Sequence, residues 1–155
     1  MKKLLIKNFM TKKVVSVNPD ETLTTAAKIL LKNNFDGLPV IDKSGKLLGL
    51  ITEYNLVSKE SAIHLPTFQI ILQQLPVFKK DKSRFQKEIQ KVSSLRVKNV
   101  MNTNPVTLNE KADYREAVKT FKRHHGINPI PIVNAEKKLV GIISRSDMLK
   151  IFIIK

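Results

Sequence analysis

Ser144 and Asp147 stand three residues apart, directly after the apolar run Leu139-Val140-Gly141-Ile142-Ile143. A hydroxyl at the start of a helix lies beside free backbone N–H groups and the positive end of the helix dipole, where a phosphate is favoured. An ionised aspartate is a pure hydrogen-bond acceptor, suited to hydroxyl donors. The same spacing is that of an N-cap and its N3 partner, which satisfy each other's helix end. Ligand binding and helix capping therefore both fit these residues. Upstream, Thr52 and Asn55 repeat the arrangement with an amide in place of the carboxylate.

Other chemistry is poorly supplied. There is no cysteine, which removes thiolate nucleophiles, thiolate metal sites and disulfides. His64, His124 and His125 are scattered or adjacent, not at metal-ligand spacing. The two adjacent histidines read as exposed residues complementing a helix C-terminus. No glycine-rich phosphate loop, nucleophile elbow or recognisable carboxylate pair is present, and nothing brings Asp147 together with Asp113 or Glu116. The chain reads as a binding protein, not an enzyme.

The elements that must position Ser144 and Asp147 emerge from an internal repeat. Ile6-Lys7-Asn8-Phe9-Met10 matches Val97-Lys98-Asn99-Val100-Met101, and Val15-Ser16-Val17-Asn18 matches Val106-Thr107-Leu108-Asn109 at the same offset. With one residue added near His124 and His125, Pro39 then falls on Pro131, Gly49 on Gly141 and Asn55 on Asp147. Each half, about 50 residues, is too small to bury a good core alone. The halves must pack on each other.

Each half predicts the order β, α, β, β, α. Val14–Val17 reads as a short strand ended by Asn18-Pro19-Asp20. Thr22 caps a helix with Leu23, Ala26, Ala27, Leu30 and Leu31 on one face. In the second half Asp113 caps, Glu116 completes a capping box, and Tyr114, Ala117, Val118 and Phe121 form the stripe. The helices are expected to end at Asn33-Asn34 and at His124-His125-Gly126. Leu38–Ile41 and Leu47–Ile51 then form a hairpin around Asp42-Lys43-Ser44-Gly45, its continuous apolar runs suggesting burial on both faces. Gly49 and Gly141 mark close approach of backbone or ligand.

Three segments follow: repeat 1 at 1–57, an insertion at 58–95 and repeat 2 at 96–155. The insertion is expected to hold two helices joined near Pro76, with Phe85, Ile89 and Val92 as an apolar stripe. Lys79 to Lys98 carries eight basic residues against Asp81 and Glu88. Over all 155 residues, 28 Lys plus Arg against 13 Asp plus Glu give a formal charge of +15, which favours anionic partners without choosing among them. No apolar run approaches the roughly 18 residues that span a bilayer, and the N-terminus lacks the pattern of a signal peptide. A cytoplasmic protein with no membrane insertion is expected.

Gly37-Leu38-Pro39-Val40-Ile41-Asp42 with Gly49-Leu50-Ile51-Thr52-Glu53-Tyr54-Asn55, and Ile130-Pro131-Ile132-Val133 with Gly141-Ile142-Ile143-Ser144-Arg145-Ser146-Asp147, resemble the CBS domain, named after cystathionine beta-synthase. The tandem resembles a CBS pair, or Bateman module. The resemblance implies an α/β (α+β) fold of two pseudo-symmetric repeats packed sheet to sheet with a helical insertion between them. It also implies two clefts, one or both binding AMP, ADP, ATP, S-adenosylmethionine or another adenosyl compound. A flat homodimer is the common assembly.

Carried over by resemblance, Asp147 takes the ribose hydroxyls, Ser144 the ribose or phosphate, and Ile127, Asn128 and Pro129 the edge of the base. Arg145 is a source of phosphate charge, and Pro131 shapes the same second-half cleft. The first-half cleft is expected at Thr52, Asn55, Phe35, Asp36, Gly37 and Pro39. An ionised aspartate accepts from both hydroxyls of a cis-diol, whereas the Asn55 amide offers one acceptor oxygen and Glu53, in place of Arg145, repels phosphate. The second-half cleft is thus expected to bind better. The implied function is a non-catalytic regulatory module of the energy-sensing kind, signalling to a separate protein. The alternatives are a nucleic-acid-binding module using Lys79, Lys80, Lys82 and Arg84, and a ligand-free assembly subunit.

Overall fold

The structure, a computed structural model, describes residues 4–57 and 95–153. The expected helical insertion falls, apart from Leu95, outside the described residues. In the first half, α1 (Leu23–Asn33) is followed by the antiparallel hairpin β1 (Gly37–Ile41) and β2 (Leu47–Thr52) and by the short α2 (Glu53–Val57). In the second, β3 (Leu108–Asn109) precedes α3 (Tyr114–Arg123), β4 (Ile130–Val133), β5 (Leu139–Ile143) and α4 (Arg145–Met148). Here β3 runs parallel to β4, and β4 antiparallel to β5.

Local chemistry explains the boundaries. Thr22 accepts from the Thr25 N–H to start α1, and Asn34 ends it in the left-handed region at φ 55°. Asp113 accepts from the N–H groups of Arg115 and Glu116 to start α3. The expected return bond from Glu116 is missing among the described residues, so the cap is one-sided. Both hairpins turn on side-chain acceptors: Asp42 Oδ1 takes N–H from Ser44 and Lys46, and Asn134 Oδ1 takes N–H from Glu136 and Lys138. Asp42 is held below its ordinary pKa chiefly by the Ser44 hydroxyl and the Lys46 N–H. The hairpin tips join the two sheets through Leu47 N–H on Lys137 O at 3.1 Å and Leu139 N–H on Gly45 O at 3.0 Å.

Two expectations of the apolar pattern are corrected. The run Val14–Val17 is not a strand; Val17 makes a single parallel bridge to Val40, because Val14 and Val15 turn aside to line a cleft. Leu31 and Val118, placed on the buried stripes, are 65% and 44% exposed. They sit at the edges of faces whose centres, Ala26 with Leu30 and Ala117 with Phe121, fill the core.

The halves exchange their lead-in segments. The single-turn helix Ile6–Asn8 packs Ile6 and Phe9 into the core of the second half, and the turn Val97–Asn99 packs Val97 and Val100 into the core of the first. Backbone bonds fix the exchange: Ile6 N–H donates to Ala112 O at 2.9 Å and Val97 N–H to Glu21 O at 2.9 Å. Lys98 closes it with a 2.6 Å ion pair to Asp20. The glycines belong to the same device. A Cβ on Gly49 would lie 2.7 Å from Asn102 O and 2.8 Å from Met101 Sδ, and one on Gly141 would collide with Met10 Sδ. At both, the close neighbour is an exchanged lead-in.

Candidate functional site

β5 ends at Ile143 and hands the chain to α4 at Ser144, so the hydroxyl and carboxylate appear where an apolar strand stops. Ser144 Oγ accepts from Asp147 N–H at 3.2 Å, and Asp147 Oδ2 accepts from Ser144 N–H and Oγ–H at 2.8 Å each. Asp147 Oδ1 receives Lys150 Nζ at 2.6 Å. Capping is thus real, and Asp147, 8% exposed, is the one buried charged residue among those described. A buried carboxylate needs hydrogen-bonding or charged partners. Lys150 and Ser144 supply them.

Asp147 and Ser144 also face a cleft of about 260 Å³. Its other walls come from the first half: the segment Thr11, Lys13, Val14 and Val15, and the turn Asn34–Gly37 after α1. Pro129, Ile142 and Ser146 complete it. Lys13 brings a positive charge, Asp36 and Asp147 negative ones, Phe35 an aromatic face.

Phe35 and Asp36, assigned to a first-half cleft, stand between two cavities. With Gly37 they line the cavity of Asp147, and with Leu30, Glu53 and Leu56 they line a smaller one of about 110 Å³ within the first half. Thr52 and Asn55 form the matching cap of α2, with Asn55 Oδ1 taking Thr52 N–H at 3.0 Å and Oγ–H at 2.8 Å. They do not line this cleft. Pro39 and Pro131 are wholly buried inside β1 and β4 and do not line this cleft.

Of the second-half residues, Pro129 is a wall of the cleft, while Ile127 packs against the core. Asn128 is already committed: its amide N–H donates to Asp36 Oδ2, and its Oδ1 accepts from Arg145 N–H at 3.0 Å. It ties the repeats together beside the cleft, and one amide N–H and one acceptor position of Oδ1 remain beyond these two bonds. The Arg145 guanidinium turns away, donating to His125 O and lying 5.7 Å over the Phe121 ring. It supplies no charge to the cleft wall. Sequence reasoning missed Thr11, Lys13, Val14, Val15 and Ser146; the Met10 repeat match was the available signal, but it did not show which half the lead-in crosses.

The CBS domain model matches residues 6–61 and 97–154. The chain belongs to the CBS domain family. It is 32% identical over 152 residues to a CBS domain-containing protein of Dictyostelium discoideum, covering 97% of this chain and 92% of that one. It is 30% identical over 145 residues to the chloroplastic CBS domain-containing protein CBSX1 of Arabidopsis thaliana, covering 92% of this chain and 61% of that one. The fold is similar to the CBS-pair protein CBSX2 of Arabidopsis thaliana, with a TM-score of 0.73 and 23% identity over 98% of this chain and 96% of that one. CBSX2 is also known in complex with AMP, at a TM-score of 0.71 and 22% identity over 97% of this chain and 96% of that one. A further similar fold is the CBS domain pair of protein MJ0100 in complex with 5′-methylthioadenosine and S-adenosylmethionine, at a TM-score of 0.66 and 22% identity over 96% of this chain and 98% of that one. These CBS pairs share the two-repeat architecture with this chain. No helix among its described residues is long and apolar enough to cross a membrane.

Proposed function

We propose that this CBS pair is a non-catalytic sensor that binds an adenosyl ligand in the cleft shared by Asp147 and Asp36. The observation that carries the reading is the composite wall, in which a buried carboxylate from one repeat faces an aromatic, a carboxylate and a lysine from the other. A ligand there touches both repeats, so its affinity depends on how they are packed. A ligand shifts such an equilibrium only through its differential affinity for the two packings.

Asp147 meets the donor count of a ribose despite its cap. Ser144 Oγ lies 2.7 Å from Ser146 Oγ, so its proton can turn to Ser146 and free an acceptor position on Asp147 Oδ2. Oδ1 keeps a position beside Lys150, since each carboxylate oxygen offers two. Two hydroxyls then find two acceptors. Phe35 offers the base a face to pack on, and Lys13 with the two serines suits a phosphate. The cleft, just under the roughly 300–1,000 Å³ usual for ligand sites, leaves charged groups toward solvent. The AMP complex of CBSX2 and the adenosyl complexes of MJ0100 support this ligand class.

Readout by a separate protein, a homodimeric assembly and a cytoplasmic setting accompany this function. Calorimetry with AMP, ADP, ATP, S-adenosylmethionine and cyclic dinucleotides tests it: binding of at least one is expected, and no binding at millimolar concentration to folded protein overturns it.

A further inference from the structure

The Asp147 carboxylate is gripped from outside the cleft as well as from its own helix. Lys150 is not part of the cleft wall, yet its ammonium lies 2.6 Å from Asp147 Oδ1 and donates to Phe9 O at 3.0 Å. Phe9 belongs to the lead-in that crosses from the first repeat, and its ring lies 5.0 Å from that of Tyr114. The Tyr114 hydroxyl in turn donates at 2.8 Å to the carbonyl of Met148, the residue after Asp147. One short network thus runs from the cleft carboxylate to the backbone of the exchanged segment. In the sequence the equivalent place in the first repeat is Ser58, which has no ammonium to offer Asn55.

We infer that Lys150 is a positioning residue: it orients the Asp147 carboxylate toward the ligand and couples occupancy of the cleft to the seating of the lead-in at Phe9. The inference rests on the reading of Asp147 as the hydroxyl acceptor. A carboxylate free to rotate about its bond presents its two oxygens to a pair of hydroxyls only part of the time. Lys150 and Ser144, one on each oxygen, fix that rotation. Hydroxyls on Asp147 draw its charge toward the cleft, and the same ammonium carries that change to Phe9 O. Coupling of this sort is reciprocal, so a well-seated lead-in also raises ligand affinity.

The test compares wild type with Lys150→Met, Lys150→Gln and Lys150→Arg, each titrated separately with AMP and with S-adenosylmethionine and followed by amide exchange. Ligand is expected to slow exchange at Met10 and Thr11, whose N–H groups donate to Ile6 O at 3.0 Å and Ile142 O at 2.9 Å. Lys150→Met and Lys150→Gln should bind about three- to tenfold more weakly and lose that slowing. Lys150→Arg, which keeps a donor and the charge, should recover most of both. Wild-type affinity in Lys150→Met and Lys150→Gln, or unchanged slowing of Met10 and Thr11 in them, overturns the inference while leaving the cleft as a ligand site. No binding by wild type of these two compounds, nor of ADP, ATP or cyclic dinucleotides, overturns both.

Discussion

Asp36 and Asn128, one from each repeat, are hydrogen-bonded beside the cleft, and Asn128 also accepts from the Arg145 backbone. This small bridge joins the end of α1 to the start of α4. Replacing Asp36 by Ala should cost about 1 kcal/mol, the modest net value of a hydrogen bond near solvent. Asn128→Asp should cost more, since it sets two carboxylates against each other. Urea unfolding ranks the two variants.

Phe9 is 1% exposed and packs in the core of the half to which it is not contiguous. Phe9→Ala should cost about 3–5 kcal/mol, as for a large buried aromatic. Because the lead-ins are exchanged, the loss should unfold both repeats in a single transition by calorimetry and circular dichroism. A second repeat that melts separately would contradict the exchange.

Gly49 and Gly141 occupy equivalent places but face different obstacles. A Cβ at Gly49 meets the Asn102 carbonyl as well as the Met101 side chain, whereas one at Gly141 meets only Met10 side-chain atoms. A methionine can move; a backbone carbonyl held by the Leu50 N–H cannot move cheaply. Gly49→Ala should therefore destabilise by about 1–3 kcal/mol and Gly141→Ala by less. Thermal denaturation ranks the pair.

Acid should weaken the exchange. Asp20 is held below the ordinary aspartate value of 3.8, first by its hydrogen bond to Lys98 and then by that lysine's charge. A depressed folded pKa contributes stability that is present above the unfolded value and is lost as pH falls through the folded one. Below about pH 4 the contribution should fade, and Asp20→Asn should flatten that part of the stability profile. The pair is exposed, so its effect is small and shrinks in salt.

Much of the fold was legible because its signals are local. Thr22 and Asp113 cap the helices named for them, Asn34 takes the left-handed end, and the apolar hairpins form where their turn residues fall. The exchange was not legible. Ile6 and Val97 are equivalent apolar residues at matching places in the repeat, so no pattern within a repeat says which core each enters. The cleft inherits that ambiguity: its Asp147 side could be named, but its walls at Thr11, Lys13 and Phe35 to Gly37 depend on the crossing. The place of the Arg145 guanidinium, on the His125 carbonyl and over the Phe121 ring, was not legible either, since the reach of a long side chain is not encoded in its spacing.

The central claim is that Asp147 serves a ligand as well as its own helix. Asn55 provides the control, because it caps α2 by the same bonds but lies outside the cleft. The decisive measurement is the calorimetric affinity of the tightest-binding adenosyl compound for wild type, Asp147→Ala and Asn55→Ala. Loss of binding by more than about tenfold in Asp147→Ala, with Asn55→Ala close to wild type, is the predicted result, since a charged hydrogen-bond acceptor is removed from the ligand in the first only. Equal affinity in all three, or a larger loss in Asn55→Ala, would contradict it.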